Sequence, residues 1–234
     1  VTWLAGVDGC PKGWFRICRD RVSGELAFDV VETPEELLIR EPRPALVALD
    51  IPIGLPATGS RECDIEARAL LGPRRSSVFP APLRPALRAA SREEASEITA
   101  HIHGKRVSVQ AWAIHPKIRA VDRWLASDPL ARRAVREVHP EVSFLGWNGG
   151  RPMRWSKKAR DGRAERCALA ASWLDEDALR RARGEYLRKD VASDDILDAI
   201  AALWTAHRIA EGAARTLPAS PPRDETDLPM QIVF

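Results

Sequence analysis

Four short stretches of this chain place carboxylates where they could do chemistry. Asp8 closes the apolar run that begins at Trp3, and Gly9 beside it allows close backbone approach. Asp50 closes the continuous apolar run Ala45–Leu49. Such a run marks a strand buried on both faces, and the carboxyl end of a central strand is where α/β folds place ligands. A carboxylate buried there unpaired is costly, so it calls for a cation, a metal or hydrogen-bond donors. Glu137, His139 and Glu141 project from one side if Glu137-Val138-His139-Pro140-Glu141 is extended, because strand side chains alternate. Asp195 and Asp198, three residues apart, share one face of a helix. Hard oxygen donors of this kind suit Mg²⁺ or Mn²⁺. Two such ions would activate water and stabilise the leaving oxygen in phosphodiester cleavage.

Each group also has a plainer reading. Asp8 could start a turn. Asp50 could cap the Pro52–Gly54 loop through backbone amides. Pro140 permits an edge-strand end. Acids in a first helical turn favour the helix dipole whatever else they do. Spacing alone leaves both readings open.

The elements that must position these groups follow from periodicity and punctuation. Trp3–Asp8, Trp14–Arg19 and Glu25–Glu32 read as a three-stranded antiparallel meander, with Gly9–Gly13 as a turn. Pro34 opens a short helix. Ala45–Ile51 is the buried strand. Arg61–Leu71, Glu93–His103 and Gln110–Ala126 are helical, separated by proline-rich loops. Val135–Phe144 has strand character, Arg163–Leu174 is helical, and Val191–Glu211 is the strongest helix. A short strand over Met230–Phe234 closes the chain. In the Val191–Glu211 helix, Ala199 and Ala202 lie on the face of Asp195 and Asp198, which would let that face approach a sheet closely. The expected architecture is α/β: one domain over residues 1–234, a meander followed by parallel crossovers, with a helical insertion at about 57–133.

Composition narrows the function. With 45% hydrophobic and 29% charged residues, the chain is neither disordered nor fibrous. No apolar run approaches the roughly 20 residues of a membrane span, and no signal-like segment opens the sequence. Four scattered cysteines without a Cys-x-x-Cys pair make neither a disulfide framework nor a zinc cluster, which points to the cytoplasm.

A net charge of +3 is too small to argue nucleic-acid binding by itself. The balance is uneven, however: residues 151–166 carry seven basic and two acidic side chains. Arg74-Arg75-Ser76-Ser77 offers two guanidinium forks and two hydroxyls that could hold a phosphate. Lys117, Lys157 and Lys158 could add to it. Lys12 in the Gly9–Gly13 turn, His139 and Glu141 complete the candidate phosphate or substrate contacts. Trp147 and Trp155 flank the basic stretch, either in the core or stacking bases.

The order strand-Asp, meander, strand-Asp, Glu, then helical Asp-x-x-Asp-Ala resembles the ribonuclease-H-like superfamily, including Holliday-junction resolvases. More closely, the chain resembles the domain-of-unknown-function 429 family of predicted RNase H-like nucleases. The matching stretches are Gly6–Trp14, Asp50–Pro56, Arg61–Asp64 with Ala67-Arg68, and Arg74–Phe79 with Ala81-Pro82. Gln110, Pro116–Ile118, Glu137–Glu141, Asp195–Ala202 and Leu228–Met230 follow in order. The resemblance implies a ribonuclease-H-like mixed sheet flanked by helices. It would make Asp8 the first-strand metal ligand and Asp195 or Asp198 the helix ligand. Glu137 or Glu141 would take the middle position, with Asp50 as the alternative. The implied activity is a nuclease hydrolysing DNA or RNA with carboxylate-held Mg²⁺ or Mn²⁺. The alternatives are an enzyme or binding protein for a small phosphorylated or nucleotide ligand, and a non-catalytic nucleic-acid-binding module. Expected partners are therefore nucleic acid or a phosphorylated small molecule, not a membrane; oligomeric state stays open.

Overall fold

A computed structural model describes residues 2–174 and 176–234. The meander is present. Strands β1 (Trp3–Cys10), β2 (Gly13–Asp20) and β3 (Leu26–Val31) are antiparallel neighbours. After a short helix, α1 (Glu36–Ile39), strand β4 (Leu46–Leu49) returns parallel to β1. Strand β5 (Val135–Glu137) adds parallel to β4. The order is β3-β2-β1-β4-β5, a mixed sheet consistent with a ribonuclease-H-like layout.

Between β4 and β5 lie α2 (Glu62–Leu71), α3 (Arg92–His103), α4 (Val109–Ser127) and α5 (Pro129–Ala134). Two 3₁₀ turns, Gly72–Ser77 and Arg84–Arg88, connect α2 to α3. Beyond β5 come α6 (Pro140–Trp147), α7 (Arg160–Ala171), α8 (Glu176–Gly184) and α9 (Ser193–Ala210). A two-stranded ribbon, β6 (Thr216–Leu217) and β7 (Ile232–Val233), ends the chain. Helices α5 and α8 have no counterpart in the sequence reading, and β7 is shorter than the expected Met230–Phe234.

One expectation is overturned. Val135–Phe144 is not a continuous strand: it stops at Glu137, and Pro140 opens helix α6 with His139 as N-cap. Proline has no N–H to give a ladder, while its fixed φ suits a first helical turn. The apolar residues that followed it, Val142, Phe144 and Leu145, are fully buried as a helix rather than as a strand. Glu137, His139 and Glu141 therefore do not share a strand face.

The sheet has a core on each side. Ala5, Val7, Val47 and Leu49 face Ile118, Val121 and Trp124 of α4. Leu4, Phe15, Ile17 and Ala48 face α9. Helix α9 is buried almost all round, from Ile196 to Leu203, because α6 and α7 cover its far side. Its seat on the sheet is very close. A Cβ at Gly6 would stand 2.1 Å from both Ala199 O and Leu203 N. Only glycine at this point of β1 lets the backbones meet. No helix among the described residues is long and apolar enough to cross a membrane. All four cysteines are free.

Candidate functional site

The register of two strands and the seat of one helix build the site. In the parallel β1–β4 pair, Val7 lies opposite Leu49, so Asp8, still within β1, and Asp50, just past β4, follow side by side where that pairing ends. The Asp50 amide still donates to Val7 O at 3.0 Å, which keeps the chains together one residue past β4. Leu4, Gly6 and Asp8 alternate onto the α9 face of the sheet, as do Leu46, Ala48 and Asp50. Asp198 precedes Ala199, the residue whose carbonyl meets Gly6. The close approach of α9 thus delivers the third carboxylate. One oxygen each from Asp8, Asp50 and Asp198 lie within 4.8 Å of one another.

Electrostatically the cluster is short of positive charge, with Lys157 set against three carboxylates. Burial, reinforced by Asp198, pushes Asp50 up to about 8. Burial followed by Asp50, Asp198 and Asp195 raises Asp8 well above the usual carboxylate range. Burial also raises Asp198, against the opposing pull of Lys157. That lysine donates to Asp198 Oδ2. Burial works against its ammonium, but Asp198, Asp8 and Asp50 outweigh it and hold the charge. The partners are few: Asp8 Oδ1 accepts the Gly9 amide at 2.7 Å, and Asp198 Oδ1 is buried with no hydrogen-bond partner among the described residues. Three converging carboxylates, one of them with an orphaned oxygen, are a donor set that fits a divalent cation.

Asp195 stands one turn earlier on α9 and does a different task. Its carboxylate accepts the Ala192 amide at 2.8 Å and caps the helix. Burial raises it to about 6, with Ala192 pulling the other way.

The remaining sequence candidates sit elsewhere. Glu137 is not beside the three aspartates in the cluster. Both its oxygens accept from Arg61 at 2.7 Å, and one also takes the Ile53 amide at 2.5 Å. Arg61 simultaneously grips Asp64 and the Ile53 carbonyl. Burial opposes this guanidinium, yet Glu137 and Asp64 hold it charged. The network fastens the loop that follows Asp50. Glu141 is likewise clamped, by Arg166 through contacts of 2.6 to 3.0 Å. Arg166 also donates to the Trp155 carbonyl. With Gly162, where a Cβ would stand 1.9 Å from Ser156 O, it fixes the approach of the loop carrying Lys157. Glu137 and Glu141 thus act as anchors for loops that flank the cluster.

The predicted phosphate contacts divide. Lys12 pairs with Asp190 at 3.1 Å. Lys117 lies over Gly9 and the Trp14 ring and donates to Gly13 O at 2.5 Å. Arg74 faces Glu141 at 4.0 Å, and Ser77 turns back onto Arg74 O. His139 Nε2 meets Ser77 O at 3.3 Å, and burial lowers its pKa. Arg75 and Ser76 make no side-chain hydrogen bond to the acid cluster among the described residues. Trp147 stacks between Phe144 and Trp204 in the core, whereas Trp155 is 44% exposed beneath Arg154.

A cavity of about 360 Å³ adjoins Lys157, lined also by Lys158, Arg163, Arg188, Ser193 and Asp194. It opens at the start of α9, four residues before Asp198. Arg188 escaped the sequence reading because it lies outside the dense basic stretch and reaches the cavity only through the turn after α8.

Residues 6–223 match the family described as protein of unknown function (DUF429). The chain belongs to this family. Neither a curated protein nor a solved structure gives a significant match. Within this DUF429 chain, the match takes in all three clustered aspartates and the basic cavity.

Proposed function

We propose that this chain is a divalent-metal-dependent hydrolase of phosphodiester bonds, acting on DNA or RNA. The observation that carries the reading is the convergence of Asp8, Asp50 and Asp198 within 4.8 Å with a single lysine among them. Mg²⁺ or Mn²⁺ would be held by these three carboxylates. When bound, such an ion polarises a phosphoryl oxygen and lowers the pKa of an attacking water.

The chain's own groups supply the rest. Lys157, already charged and pointed at Asp198, stands where it can neutralise charge growing on a phosphoryl group. Lys158, Arg163 and Arg188 offer donors for a neighbouring phosphate in the adjoining cavity. Trp155 at the edge of the basic stretch offers a face for a base. Arg61–Glu137 and Arg166–Glu141 keep the loops around the reacting group from yielding as the charge develops.

The test is cleavage of labelled single- and double-stranded DNA and RNA in Mn²⁺ or Mg²⁺. Asp8→Asn and Asp198→Asn should abolish cleavage while leaving a folded protein by circular dichroism. Cleavage that survives either substitution sinks the assignment.

A second reading has one specific support. The basic cavity is of small-ligand size, which suits a phosphorylated small molecule as substrate. Hydrolysis of a small phosphodiester, with every oligonucleotide inert, would favour it.

A further inference from the structure

A second basic cleft lies away from the acid cluster. It has a volume of about 490 Å³ and runs along β5 between the end of α4, helix α5 and the segment 221–231. None of Asp8, Asp50 and Asp198 lines it.

Four arginines border this cleft; Arg223 pairs with Asp227, and three others, Arg132, Arg133 and Arg136, stand along its β5 side. None of the three has a carboxylate partner among the described residues. The two carboxylates at the rim are already taken, Glu137 by Arg61 and Asp227 by Arg223. Arg136 is half-buried. Its Nη1 donates to the carbonyls of Arg132, Arg133 and Val135 at 3.4, 2.9 and 2.8 Å. Arg132 Nε is pinned to Leu125 O at 2.6 Å. These carbonyls fix the direction of both guanidinium groups without neutralising them. Burial, unopposed by any acid, lowers the pKa of Arg136. A half-buried cation without a counter-ion is a standing cost that an anion would relieve. Arg133 is exposed beside it. Leu125, Val135 and Leu228, all buried, form an apolar wall.

We propose that this cleft binds a small phosphorylated molecule, with its phosphate on Arg133 and Arg136 and its organic part against Leu125, Val135 and Leu228. Guanidinium forks, that of Arg136 already oriented, suit phosphate oxygens better than any other common anion-binding side chain. The volume falls in the range of small-ligand sites, roughly 300–1,000 Å³. The apolar wall favours a ligand with a ring over inorganic phosphate. The site owes nothing to the three aspartates and stands whether or not they hold a metal.

Calorimetry on the full chain in EDTA tests this, with inorganic phosphate and adenosine monophosphate as probes. Both should bind, the nucleotide more tightly. Arg133→Gln, a change at an exposed residue that leaves the fold intact, should weaken both by about tenfold. Arg136→Gln should do so more strongly. Asp8→Asn should leave the affinity for both probes as in wild type, which separates this site from the acid cluster. Equal affinity for the two probes would remove the organic half of the proposal. Absence of saturable binding at millimolar concentrations would overturn it. So would binding that ignores Arg133→Gln and falls with Lys158→Gln, because the anion would then lie in the other cavity.

Discussion

Gly6 of β1 and Leu203 of α9 meet backbone to backbone: a side-chain carbon on Gly6 would lie 2.1 Å from the Leu203 nitrogen. This contact sets the height of α9 above the sheet and so the position of Asp198 against Asp8 and Asp50. Gly6→Ala must push the helix away or strain the strand. The expected cost is on the order of 3 kcal/mol, or about 6–12 °C in Tm for a chain of this size. Thermal melts of the variant check it. A melt unchanged from wild type would mean that α9 does not seat as described.

Asp50 makes stability fall with rising pH. Its pKa is about 8 in the folded chain against about 3.9 in an unfolded one. Between these values the folded state keeps a proton that the unfolded state has lost. Stability from this group is therefore complete below about pH 4 and disappears as pH rises toward 8, with a slope of up to about 1.4 kcal/mol per pH unit. Asp50→Asn should flatten the Tm–pH curve measured in EDTA and raise Tm at pH 8. A variant less stable than wild type at pH 8 would contradict the assigned protonation.

Metal should reverse that trend. Ligation requires deprotonated carboxylates, so Mn²⁺ binding should release protons and tighten as pH rises from 6 to 8. Calorimetry in buffers of different ionisation enthalpy counts those protons. Wild type should show a Tm gain with Mn²⁺ that Asp8→Asn loses. Proton-neutral binding would argue against ligation by these acids.

Arg61 neutralises two buried carboxylates, Glu137 and Asp64. Arg61→Met leaves both unpaired and should cost about 3–5 kcal/mol. Adding Glu137→Gln should recover part of the loss, because it removes one of the stranded charges. Urea denaturation of the single and double variants measures the coupling. If the two losses simply add, Glu137 is not held by Arg61 in solution.

Much of this was legible in the residues. The apolar run Ala45–Leu49 marks a central buried strand, and a buried acid at its end calls for compensation, whether by a ligand or by backbone amides. The apolar run from Trp3 leads to Asp8 as a strand end, whereas β1 continues through Gly9 to Cys10 against β2. The small residues Ala199 and Ala202 announced a helix able to lie close to a sheet. Local rules sufficed for these features, because they depend on neighbours in sequence. Pro140 opens α6 three residues after β5 ends, so Glu137, His139 and Glu141 part company.

Tertiary structure decided the rest. Of the acids with suitable spacing, Glu137 and Glu141 are each matched by a buried arginine, Arg61 and Arg166, which come from distant segments. Asp8, Asp50 and Asp198 converge with, among the described residues, only Lys157 paired to one of them. Sequence alone shows which carboxylates are present and which elements carry them. Which of them lack a cation of their own depends on which cations the fold brings within hydrogen-bond reach, and that is a property of long-range packing.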